Sequence, residues 1–84
     1  GSVQRQVNFM FYYRRVTERL CAPEIGSYTS FGILALRCSG GRWQKLFLIS
    51  DVSPNDHLVD ELARLCTEYQ LHPIHLYDVV EDTI

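Results

Sequence analysis

The sequence has few cysteines and no Cys-x-x-Cys pair: Cys21, Cys38 and Cys66 are odd in number and widely spaced. This pattern argues against a disulfide framework and for a reducing compartment, with the cytoplasm as the expected location. No uninterrupted apolar run approaches the ~18 residues that a membrane span requires, and no charged n-region followed by an apolar stretch opens the chain. A soluble protein with no membrane partner is expected. Gly40-Gly41 lacks the Lys-Ser/Thr that completes a phosphate loop, and it joins two strands rather than a strand and a helix, so nothing speaks for nucleotide binding. Internal repeats and low-complexity segments are absent.

What is present is an ordinary globular composition, 46% hydrophobic and 21% charged over 84 residues. Gly1 and Ser2 read as a tag remnant, and residues 3–84 as one α+β domain. A chain this short buries only about 60 to 65% of its unfolded surface, so further burial against a partner would matter. Charge is unevenly spread. Residues 1–50 carry seven cations against two anions, and residues 51–84 one cation against eight anions. A basic half and an acidic half are expected to neutralise one another on folding.

The chemistry of the segments alternates from strand to helix. Val7 to Thr17 is aromatic and β-branched and reads as a strand. Glu18 to Ser27, with Pro23 and Gly26, reads as a loop. Tyr28 to Cys38 and Trp43 to Ser50 read as two strands joined at Gly40-Gly41, which supply the positive φ angles of a tight hairpin. Ser53 as N-cap and Pro54 as first helical residue announce a helix, with Leu58, Val59, Leu62, Leu65, Cys66 and Tyr69 on its apolar side. Asp60 can pair with Arg64 on the opposite side. His72-Pro73 breaks it, and a second helix begins at or soon after Pro73. A fourth strand over Ile74 to Val80 is the alternative, but the apolar residues there do not alternate. The expected fold is a three-stranded antiparallel β-meander followed by two α-helices, β-β-β-α-α.

A two-residue turn at Gly40-Gly41 predicts that Leu36 faces Lys45, Leu34 faces Phe47 and Gly32 faces Ile49, with Ala35-Leu46 and Ile33-Leu48 on the other face. Both faces are then apolar, and a sheet of that kind expects cover on each. Either the two helices share one face and a partner takes the other, or the helices split, or the first strand and its loop curl over.

Three segments, Tyr28-Thr29-Ser30-Phe31-Gly32-Ile33, Asp51-Val52-Ser53, and His72-Pro73-Ile74-His75-Leu76 running on to Asp78-Val79-Val80-Glu81-Asp82, resemble a family of short uncharacterised proteins from anaerobic Firmicutes. The resemblance implies a bacterial cytoplasmic single-domain protein and carries over no functional residue.

Candidate chemistry is sparse. Cys66, His72, His75 and Asp78 hold metal-ligand atoms within a short stretch, yet a solvated helix face explains them better, and no metal or cofactor is expected. Cys66 and Cys38 read as small buried hydrophobes, leaving Cys21 in its loop as the candidate reactive thiol with no histidine placed beside it. The expectation is a non-enzymatic interaction or regulatory module. Its partner is a second copy or another protein, met through Leu34, Leu36, Trp43, Phe47 and Ile49. The alternative is a single-stranded nucleic-acid binder using Tyr12, Tyr13, Arg14, Arg15 and Lys45 on a basic, aromatic sheet.

Overall fold

The computed structural model describes residues 10–83. Three antiparallel strands lie in the order β1 (Met10–Ala22), β2 (Gly26–Ser39) and β3 (Arg42–Ser53). Helix α1 (Asp56–Glu68), a 3-10 turn at Pro73–His75 and helix α2 (Leu76–Thr83) follow. This is the expected β-β-β-α-α order, and Ile74 to Val80 is helical rather than a fourth strand. The expected tag remnant at residues 1–2 and the expected start of the first strand at Val7 lie outside the described residues.

The expected loop over Glu18 to Ser27 is mostly strand. Pairing of β1 with β2 continues unbroken to Ala22 opposite Gly26. Only Pro23, Glu24 and Ile25 make the turn, closed by Gly26 at φ +74° in the left-handed region typical of three-residue hairpin loops. The breakers mark the turn itself and not the polar residues before it. Cys21 is therefore an exposed strand residue paired with Ser27.

The second hairpin keeps its predicted register only near the tip. Cys38 faces Trp43 and Leu36 faces Lys45, but Ala35 then faces Phe47, Leu34 faces Leu48 and Ile33 faces Ile49. One extra residue in β3 at Leu46 has shifted the pairing, as a β-bulge does. A second irregularity carries Phe31 opposite Ser53, with Asp51 between at φ +54°.

Both helices lie on one face. The core joins Tyr13, Ile33, Ala35 and Ile49 of the sheet to Val59, Leu62, Ala63 and Cys66 of α1 and Leu76 and Val80 of α2. Phe47 stacks on Tyr77 at 6.0 Å between ring centres. Helix α1 starts two residues later than expected: Asn55 is its N-cap, its side chain accepting from the Leu58 amide, while Ser53 ends β3. Tyr69, expected on the apolar side, sits past the helix end and is exposed. Arg64 pairs with Glu61 at 2.5 Å and Glu68 at 3.1 Å, and Asp60 instead lies 3.7 Å from Arg15.

Candidate partner-binding face

Along β2, side chains alternate between the helix side and the opposite side. Phe31, Ile33 and Ala35 go to the helices, and Gly32, Leu34, Leu36 and Cys38 to the other face. Cross-strand neighbours extend that second face. Tyr12 and Lys45 flank Leu36, Arg14 and Leu48 flank Leu34, and Met10 and Trp43 flank Cys38. Met10, Tyr12, Trp43 and Leu48 are 58%, 42%, 57% and 43% exposed, so no described element packs over this field. Tyr12 and Trp43 touch edge to face, 5.8 Å between centres.

Of the five residues expected at a partner contact, Leu34, Leu36 and Trp43 share this open face. Phe47 and Ile49 do not: the bulge at Leu46 turns them to the helix side, where Ile49 is buried in the core. Leu48 takes their place, and the simple hairpin register gave no sign of it. Among the residues expected for nucleic acid, Tyr12, Arg14 and Lys45 lie on the open face. Tyr13 is buried, its hydroxyl donating to the Leu71 carbonyl, and burial pushes its pKa up to about 12, the nearby Cys66 adding to this. Arg15 lies on the helix side, 5.0 Å over the Phe31 ring and within 3.8 Å of Asp56.

One end of the open face is polar, and sequence reasoning missed it. Glu18 of β1 reaches over β2, its Oε1 accepting from the Asp51 amide at 2.8 Å and its Oε2 from the Ser50 hydroxyl at 2.7 Å. Asp51 in turn accepts from Ser30 at 2.5 Å and Tyr28 at 2.8 Å. These two hydroxyls hold the Asp51 carboxyl below the usual carboxylate range, and the same bond to Asp51 raises the Tyr28 phenol. Gly32 makes the crossing possible, because a Cβ there would stand 2.5 Å from the Ile49 carbonyl oxygen and 2.7 Å from Glu18 Oε1. All four carboxylate oxygens are occupied, so the cluster pins the bulge rather than offering a free base. The signal available in the sequence was an aspartate and a serine interrupting the apolar β3.

The edge of β1 is held by the end of α1 and the turn that follows it. The Gln70 side chain accepts from the Phe11 amide at 2.9 Å and donates to its carbonyl at 2.8 Å. Thr67 accepts from the Tyr13 amide at 2.9 Å, and its one hydroxyl hydrogen is shared between the Tyr13 carbonyl at 3.1 Å and the Ala63 carbonyl at 3.0 Å. Each side chain takes the two bonds that a residue of a fourth strand would take.

Burial raises the pKa of the Cys66 thiol, which suits a packing residue and not a nucleophile. His72 sits edge-on against Phe11, 5.4 Å between centres, and its Nδ1 accepts from the Ile74 amide. Among the described residues no three His, Cys, Asp or Glu side chains converge to hold a metal ion, and no helix is long and apolar enough to cross a membrane.

No curated protein matches this chain, and no solved structure matches it. A family model described as "Family of unknown function (DUF6514)" matches residues 2–84, and so the chain belongs to that family.

Proposed function

We propose that the protein is a non-enzymatic interaction module of the bacterial cytoplasm that pairs with a second copy of itself through the open sheet face. The observation that supports this is the field of Tyr12, Leu34, Leu36, Trp43 and Leu48, apolar at its centre and covered by no described element. A sheet with helices on one face and an apolar second face is half of a layered core. Arg14 and Lys45 stand on opposite outer strands and leave the central strand apolar, so two copies can meet without placing a cation at the centre. Three unpaired cysteines, one of them exposed, suit a reducing compartment. Sedimentation equilibrium at micromolar concentration tests the reading: a dimer that Leu36→Lys dissociates supports it, and a clean monomer opposes it.

A second reading is favoured by one arrangement, the exposed aromatic pair Tyr12 and Trp43 beside Arg14 and Lys45. Aromatics on a basic sheet stack on unpaired bases. Titration with single-stranded RNA at low salt tests it, since binding that Arg14→Ala leaves unchanged does not use this face.

A further inference from the structure

We infer that the outer edge of β1 from Arg15 to Arg19 is a strand-addition site for an extended, acidic segment of another protein. In an antiparallel edge strand every second residue turns both backbone groups away from its neighbour. Phe11 and Tyr13 do so, as their bonds to Gln70 and Thr67 demonstrate, and the same repeat points the N–H and C=O of Arg15, Thr17 and Arg19 outward. Among the described residues none of these three has a partner on that side. Beside the helix clip a groove of about 600 Å³ runs between β1 and α1, lined by Tyr13, Arg14, Arg15, Asp60, Arg64 and Thr67 among others, and it meets this stretch at Arg15. Strand addition to such an edge gives affinity through main-chain bonds and specificity through alternate side chains.

Charge selects the occupant. Arg14, Arg15 and Arg19 crowd this stretch, and its one anion, Glu18, is engaged by Ser50 and Asp51. A second copy pairing antiparallel about Thr17 would set Arg15 opposite Arg19 twice, and like charges directly opposite destabilise a ladder. Carboxylates on an incoming strand answer them. Arg15 also holds a buried Nε that donates to nothing: Asp60 stands 3.7 Å from it, an ion-pair distance beyond hydrogen-bond reach, and Asp56 lies 3.8 Å from a terminal nitrogen of the same guanidinium. The far edge is a poorer template, because two bulges and Lys45 interrupt β3.

The site does not depend on the open face, and one experiment separates them. Amide chemical shifts of the whole chain are followed while an octapeptide of alternating valine and glutamate is added, with an alternating valine–lysine octapeptide and a uridine octanucleotide as controls. The expected result is a response to the acidic peptide alone, largest at Arg15, Thr17 and Arg19, with slowed amide exchange there. Arg14→Glu with Arg19→Glu should weaken binding about tenfold, equivalent to roughly 1.4 kcal/mol, and Thr17→Pro, whose missing N–H is an outward one rather than one bonded to β2, should abolish it. No response, an equal response to the lysine peptide, or shifts centred on Leu34, Leu36 and Trp43 would overturn the assignment. Uridine octanucleotide moving the edge amides would overturn the choice of a protein segment.

Discussion

Glu18 and Asp51 sit on the two outer strands, yet a 2.8 Å hydrogen bond joins the Glu18 carboxylate to the Asp51 amide across the intervening β2. Gly32 is the gap through which it passes. Gly32→Ala should force Glu18 aside and press on the Ile49 carbonyl, costing about 1 to 3 kcal/mol. Urea denaturation measures it, and an unchanged midpoint would show that the crossing tolerates a methyl group.

Asp51 combines a left-handed backbone with two accepted hydroxyl bonds, so its replacements should differ. Asp51→Gly loses the bonds but relieves a backbone penalty of about 1 kcal/mol, and it should be the more stable of the pair with Asp51→Ala. The folded-state pKa of Asp51 is lowered, so its contribution is present above the ordinary carboxylate range and is lost as pH falls through the depressed value. Acid titration of wild type against Asp51→Asn should show a steeper fall in the wild type.

Tyr13 predicts the alkaline limit. Its pKa is raised to about 12 in the fold, so the stability it contributes is complete below the unfolded value of about 10 and is lost as pH rises from there towards 12. Tyr13→Phe should cost about 1 kcal/mol at neutral pH through the bond to Leu71 and should lessen the fall in that window. Thermal melts between pH 8 and 11 read both effects.

The shifted register gives a direct pair of variants. Ile49→Ala should cost about 2 to 4 kcal/mol, because it empties a core position. Leu36→Lys should leave stability within about 1 kcal/mol, as expected of a half-exposed position, while abolishing self-association. The reverse pattern would place the core on the other face.

Thr67 and Gln70 are expected to guard the strand edge. Gln70→Leu together with Thr67→Val leaves the backbone groups of Phe11 and Tyr13 without partners, and unpaired edges promote association. Light scattering on warming should rise earlier than in the wild type while helix content stays constant.

The sequence made the strand and helix order legible because its apolar spacing changes period after Ser50, and Gly40-Gly41 placed the tip of the second hairpin. The bulge was not legible, since Leu46, Phe47, Leu48 and Ile49 are all apolar and permit either register. Only the tertiary fit of Ile49 against the helices decides between them. The brace escaped notice because Glu18, Ser30 and Asp51 lie on three strands, far apart in the chain. The edge clip escaped for the same reason: Thr67 and Gln70 look like ordinary polar residues at a helix end until β1 lies beside them.

The extra residue at Leu46 makes parity a functional property of β3. Counted from the turn, a strand whose length changes by one exchanges what it hides for what it displays. A relative that gained or lost one residue between Lys45 and Phe47 would keep its composition and its hairpin while presenting Phe47 and Ile49 outward and drawing Leu48 in. Aligning such sequences letter by letter would match residues of opposite orientation, and the contact surface would have changed without a single substitution.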